Sequence, residues 1–195
     1  MLKATEGMDA IVHLGGDPGG GTPLHPGGSW ESILNSNIIG ARNVFEAARE
    51  NGVKRIAYAS RAGVLGDYPQ NDPTTFRHAT LPTTPRGDYT ISKVFGASPA
   101  VVNHLPPSQP LTGCCGTGEA LGYSYAHVHG MEVVCVRIGN FNGDPQRVID
   151  HPHQLSNGDC VRVFEAAITH PGVKYISCFS NTVFSYLMCL GELTR

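Results

Sequence analysis

A strand, a helix and a second strand follow one another within the first 60 residues of the chain. Residues 10–14 form a short apolar run that ends at a glycine pair, which indicates a buried strand entering a loop. Apolar residues then recur at helical spacing over 30–48, where Ser29 can cap the helix and the Asn-Gly pair at 51–52 can end it. Residues 55–60 are again typical of a strand. This order predicts a βαβ unit, and therefore a parallel sheet.

The same alternation continues in the second half of the chain. Residues 119–129 have helical character, and 131–138 form a third apolar strand. Asp159 is predicted to cap a further helix that Pro171-Gly172 ends, and 173–179 is predicted to be a fourth strand. The chain is therefore expected to belong to the α/β class, with helices flanking a parallel sheet.

Two stretches lack this pattern. Residues 97–118 contain four prolines and the run Gly-Cys-Cys-Gly-Thr-Gly without any hydrophobic period, which favours an insertion or a disordered loop. Residues 181–195 are apolar but aperiodic, and an irregular tail is expected there. The domain is expected to occupy residues 1–180.

Charge, hydropathy and cysteine usage exclude several classes of partner. The 14 basic and 16 acidic residues give a formal net charge of −2, so no basic field exists to hold nucleic acid or an anionic membrane. No apolar run reaches the roughly 18 residues that a membrane-spanning helix needs, and residues 1–9 lack the features of a signal peptide. The six cysteines form no C-x-x-C pair, so a reducing, cytoplasmic compartment is expected.

Two histidine pairs could suggest a metal site. His127 and His129 lie two residues apart, as do His151 and His153. Residues at that spacing face apart on a helix, and no set of Cys, Asp or Glu completes a tetrahedral site with either pair. Solvated histidines and no metal site are expected.

The main chemical signal is the pair Tyr89 and Lys93. Residues four apart lie on one helix face, and an ammonium beside a phenol lowers the phenol's pKa. Such a tyrosine can accept or donate a proton while hydride moves at a neighbouring carbon. The alternative is a plain exposed Tyr–Lys pair, because this spacing is common by chance.

Four segments, in this order, support the chemical interpretation. They are residues 9–16 (DAIVHLGG), 37–60 (NIIGARNVFEAARENGVKRIAYAS), 89–93 (YTISK) and 134–141 (VCVRIGNF). Together they resemble the extended short-chain dehydrogenase/reductase superfamily, also called the NAD-dependent epimerase/dehydratase family, and most closely its uronate-dehydrogenase-like branch. The resemblance covers roughly 9–97 and 119–178.

The resemblance implies a fold and an activity. The fold would be a partial Rossmann-type parallel sheet flanked by helices, lacking the first βαβ units, and residues 1–180 would form a partial NAD(P)-binding domain. The activity would be NAD- or NADP-dependent oxidation or epimerisation of a sugar or sugar acid, with hydride transfer and a tyrosine as general acid/base. A homodimer is a further implication of the resemblance.

The resemblance also implies roles for individual residues. Tyr89 would be the general acid/base, with Lys93 tuning its pKa and binding the cofactor ribose. Arg147 is a candidate for the substrate carboxylate, although a surface arginine is an alternative. Asn37 resembles the family's helix asparagine that supports the active site, or it is a polar residue satisfied at a helix interface. The remaining candidates are, for the cofactor, Leu14, Gly15, Gly16, Ala59, Ser60, Ile138 and Gly139, and, for the substrate, Asn140. Ile138 to Asn140 would form the floor of the nicotinamide pocket.

The sequence also departs from the family pattern. The position of the family's catalytic serine holds Arg61, and Ser60, the candidate for that catalytic role, is one place early, which reverses side-chain direction on a strand. The sequence contains no G-x-x-G-x-x-G turn to cradle a pyrophosphate, and 97–118 would split the helix that follows Tyr89. An alternative prediction is therefore a truncated, catalytically inactive family remnant or a fragment that does not fold alone.

Overall fold

The computed structural model describes residues 1–19, 29–62, 117–141, 154–180 and 188–193. The helices and strands of these ranges alternate along the chain. In chain order they are α1 (Leu2–Thr5), β1 (Ala10–His13), α2 (Trp30–Ile33), a π-helix (Leu34–Ile39), α3 (Gly40–Glu50), β2 (Arg55–Arg61), α4 (Thr117–His129), β3 (Glu132–Ile138), α5 (Asn157–Thr169), β4 (Val173–Ser180) and β5 (Met188–Leu193).

Within these ranges, five strands form one sheet in the order β1-β2-β3-β4-β5. The first four are parallel, and β5 pairs antiparallel with β4 at the edge. Every residue of β2 from Arg55 to Ser60 is buried, as expected for a parallel strand covered on both faces. The predicted parallel sheet flanked by helices is confirmed.

Helices cover both faces of the sheet. One face packs against α3 and α4, and its core contains Ala41, Phe45, Ala48, Ile56, Tyr58, Tyr125, Ala126, Val133 and Cys135. The other face packs against α5, and its core contains Ala57, Ala59, Val134, Val136, Val163, Phe164, Ala167, Ile176 and Cys178. Successive residues of β2 and β3 thus enter opposite cores, because side chains alternate along a strand.

Three boundaries differ from the sequence predictions. The N-cap of α5 is Ser156, whose Oγ accepts from the backbone N–H of Asp159, so the prediction of Asp159 as the cap is wrong by three residues. Helix α4 begins at Thr117, two residues inside the stretch expected to be an insertion. The tail expected to be irregular contains β5 at Met188–Leu193, an apolar strand too short for its period to stand out.

Candidate functional site

The carboxyl ends of the parallel strands meet at one edge of the sheet. His13 of β1 pairs with Tyr58 of β2, while Arg61 of β2 pairs with Ile138 of β3, which in turn pairs with Ser180 of β4. Open α/β sheets bind ligands at this edge. The structure places eight predicted site residues there: Leu14, Gly15, Gly16, Ala59, Ser60, Ile138, Gly139 and Asn140.

These eight residues differ in how far solvent reaches them. Leu14 is 58% exposed, and the glycines at 15 and 16 are also exposed. Ile138 and Gly139 are half-buried and Asn140 is exposed, whereas Ala59 and Ser60 are buried. A ligand at this edge would therefore meet the loops after β1 and β3, with the end of β2 beneath them.

A buried asparagine holds the loop after β1. Asn37, in the π-helix, is 1% exposed; its Oδ1 accepts from the Asp17 backbone N–H (2.6 Å) and its Nδ2 donates to the Asp17 carbonyl (2.9 Å). The Asp17 carboxylate in turn accepts from the Gly19 N–H (2.8 Å) and from the Ser32 hydroxyl. Hydrogen bonds from the side chains of Asn37 and Ser32 thus hold the loop at Asp17. Asn37 lies in the π-helix, a rare structure that is frequently found at functional sites.

Backbone bonds hold the loop after β3. The Gly139 N–H donates to the Ser180 carbonyl (3.1 Å), and the Asn140 carbonyl accepts from the Leu155 N–H (2.9 Å). Asn140 also forms a parallel bridge with Gln154. The predicted floor of the nicotinamide pocket, residues 138–140, is therefore tied both to β4 and to the segment that leads into α5.

A buried ionic network lies beneath this edge. Glu119, in the first turn of α4, accepts at Oε1 from the Ser60 hydroxyl (2.6 Å) and from Arg137 Nε (2.9 Å). Its Oε2 accepts from Arg137 Nη2 (2.8 Å), which makes the ion pair bidentate. Arg137 also stacks on the ring of Phe179 in β4, 5.1 Å from its centroid.

Sequence reasoning missed Glu119 and Arg137. The available signal was an arginine inside the apolar run of β3, because a charge in a strand buried on both faces requires a partner. That partner could not be identified, because Glu119 is 18 residues away on another element.

Three predicted site residues, Tyr89, Lys93 and Arg147, lie outside the described residues, as do 97–116. Their roles stay predictions. In the ranges that are described, no three His, Cys, Asp or Glu side chains group as a metal ion requires. No helix in those ranges is long and apolar enough to cross a membrane.

The fold and the position of the site define a class: a Rossmann-type α/β protein whose candidate ligand edge is at the carboxyl ends of parallel strands. The family model described as "NAD dependent epimerase/dehydratase family" matches residues 1–102, more than half of the chain. The chain belongs to this family.

Individual relatives agree with that assignment. The chain is 32% identical over 173 residues to a uronate dehydrogenase of Pseudomonas syringae, covering 89% of this chain and 51% of that protein. It is 31% identical to an NAD-dependent glucose-6-phosphate dehydrogenase of Haloferax volcanii, covering 86% of this chain and 58% of that one. The chain thus spans about half the length of the curated relatives it matches.

Solved structures show the same partial overlap. The uronate dehydrogenase from Agrobacterium tumefaciens superposes with a TM-score of 0.67 at 29% identity, covering 92% of this chain and 56% of that chain. A mutant of that enzyme, solved in complex with NAD, gives the same TM-score at 28% identity. The resemblance stated from the sequence motifs, including the uronate-dehydrogenase-like branch, is confirmed.

Proposed function

We propose that this chain forms part of the active site of an NAD(P)-dependent oxidoreductase that acts on a sugar or sugar acid, as uronate dehydrogenases do. One observation supports the proposal most directly. The segments that resemble the family at 9–16, 55–60 and 134–141 are far apart in sequence, and all of them end at the same edge of the parallel sheet. This is the edge where dinucleotides bind in doubly wound sheets.

The residues at that edge fit one wall of a dinucleotide site. The exposed Leu14 side chain and the exposed Gly15 and Gly16 offer an apolar surface and solvent-accessible backbone on the β1 side. Ile138 and Gly139 are half-buried on the β3 side, so both remain partly accessible there. The described residues supply no glycine-rich turn for the pyrophosphate, so the fit is to the part of the cofactor that rests on these strand ends.

The residues predicted for the site then have defined roles in the reaction. Bound NAD or NADP supplies a nicotinamide carbon that accepts hydride from the substrate carbinol. Tyr89 takes the proton from the reacting hydroxyl, and the Lys93 ammonium stabilises the phenolate and binds the ribose. Asn140 contacts the substrate, and Arg147 pairs with its carboxylate. The cysteine pattern supports a cytoplasmic location, and the family resemblance supports a homodimer.

A second candidate function is a catalytically inactive family member. The observation that favours it is the burial of Ser60, which is 2% exposed and whose hydroxyl donates a hydrogen bond to Glu119. Arg61 occupies the next position, where the family has its catalytic serine. A site that lacks this hydroxyl would lose one hydrogen bond to the reacting oxygen.

Titration calorimetry of the full chain with NAD and with NADP separates the two candidates. The test variant combines Tyr89→Phe and Lys93→Ala, and the control is Lys54→Ala, an exposed lysine at the opposite end of β2. Micromolar binding that is weakened in the test variant and unchanged in the control supports the oxidoreductase, and turnover assays on uronates should follow. Absence of binding at millimolar cofactor would instead support the inactive protein.

A further inference from the structure

We propose that Ser60 is a positioning residue, which acts through Glu119 and Arg137 to hold the ends of β2 and β3, and that it exchanges no proton with substrate. The catalytic part of this inference rests on the proposed function. The structural part stands on the contacts of the buried network alone.

The hydroxyl of Ser60 already donates a hydrogen bond inside the protein. A serine has one O–H to donate, and here it goes to Glu119 Oε1 at 2.6 Å. Ser60 is 2% exposed, and both Glu119 and Arg137 are fully buried. A substrate hydroxyl or carbonyl could recruit this proton only by breaking a charge-assisted bond inside the protein.

The network joins four elements at one level of the sheet. Ser60 and Arg137 are register partners on β2 and β3, Glu119 is in the first turn of α4, and Phe179 is in β4. A buried ion pair is maintained only when its geometry is good and further hydrogen bonds satisfy its remaining atoms. Ser60 supplies such a bond, so its removal loosens the pair as well as the strand end.

The predicted floor of the nicotinamide pocket, residues 138–140, begins one residue beyond this network. Arg61 pairs with Ile138, Ile138 pairs with Ser180, and the Gly139 N–H donates to the Ser180 carbonyl. A shift of Arg137 would therefore move residues 138–140 directly. In this arrangement Ser60 affects catalysis through the placement of that floor.

A double-mutant cycle tests the network without any assay of activity. Urea unfolding of the full chain is measured for Ser60→Ala, Glu119→Gln and the double variant. Ser177→Ala is the matched control, because the buried Ser177 Oγ has no hydrogen-bond partner among the residues described. We expect Ser60→Ala to lower the folding equilibrium constant roughly tenfold or more, and much less in the Glu119→Gln background. Equal effects of Ser60→Ala and Ser177→Ala, or strict additivity with Glu119→Gln, would overturn the inference.

Steady-state kinetics of uronate oxidation test the catalytic part. A positioning role predicts that Ser60→Ala lowers kcat or raises the cofactor KM while leaving the pH profile unchanged, and that Ser60→Thr recovers most of the loss. A changed pH profile, like that of Tyr89→Phe, would show that Ser60 takes part in proton transfer and would overturn the inference. If the chain shows no turnover, only the proposed function fails, and the unfolding cycle decides whether Ser60 holds the network.

Discussion

Replacing Gly118 by alanine should show how closely α4 must approach the sheet. Gly118 is the second residue of α4 and is buried against Tyr58 of β2. A Cβ added there would lie 2.5 Å from the Tyr58 hydroxyl oxygen and still closer to the ring carbons Cε1 and Cζ. The ring would have to move by at least ~1 Å to restore van der Waals distances.

The packing around Tyr58 sets the magnitude of the effect. The ring is 1% exposed, with His13 at 5.5 Å and Phe45 at 6.0 Å between ring centroids, so it has little room to withdraw. Overpacking a tight core costs typically about 1–3 kcal/mol, and the severe overlap favours the upper end. The higher helix propensity of alanine offsets at most about 1 kcal/mol of this cost. We expect Gly118→Ala to reduce the free energy of unfolding by roughly 2 kcal/mol.

Urea unfolding followed by circular dichroism measures this loss. Gly158→Ala is the matched control, because a Cβ at that position in α5 meets only the flexible side chain of Arg162 at 3.4 Å or more. That variant should be neutral or slightly more stable. Tyr58→Val should partly rescue Gly118→Ala, because it removes the ring that the new methyl meets. A loss below about 0.5 kcal/mol, or full additivity of the two changes, would refute the reasoning.

Two further predictions follow from single polar contacts. Asn37→Asp keeps the acceptor for the Asp17 N–H but replaces the amide donor by an oxygen that faces the Asp17 carbonyl. Urea unfolding should show that the free energy of unfolding falls by roughly 2 kcal/mol, and a change under about 0.5 kcal/mol would contradict this. Burial and the hydrogen bond to Glu46 raise the pKa of Tyr125 to about 12 from 10.0, so its contribution to stability is complete below pH 10 and is lost as pH rises through 12. Tyr125→Phe should flatten the loss of stability between those pH values, and an unchanged slope in alkaline unfolding curves would refute the assignment.

The sheet could be predicted from the sequence because its strands carry their own signal. Strands covered on both faces are typically near-continuous apolar runs, and 55–60, 131–138 and 173–179 are predominantly apolar. Residues 10–14 have the same pattern and do form a strand, but the prediction that this strand is buried is wrong, because β1 is only half-buried and Val12 is 39% exposed. Strand β5 and the exact start of α4 carry no comparable pattern. Each depends on what the segment packs against, such as the antiparallel pairing of β5 with β4.

The site was predictable only in its backbone. Leu14 to Gly16 and Ile138 to Asn140 follow parallel strands, so their location at the carboxyl edge of the sheet could be expected from the sequence. Their roles toward a cofactor or substrate stay predictions. The partner of a buried charge depends on tertiary structure. No local sequence pattern could therefore predict that Glu119 pairs with Arg137 or that the Ser60 hydroxyl donates to Glu119.

These contacts also separate what the fold needs from what the proposed chemistry needs. The first turn of α4 is fixed by its own residues: Gly118 lies against Tyr58, and Glu119 pairs with Arg137 and Ser60. Its position on the sheet therefore does not depend on an unbroken helix arriving from Tyr89 and Lys93, and lengthening a connection adds little closure entropy. The predicted insertion over 97–118 is thus compatible with the sheet and both of its helical layers. The effect of such an insertion would fall on the proposed catalytic pair, because the helix that holds Glu119 would then not set the distance of that pair from the predicted floor of the nicotinamide pocket.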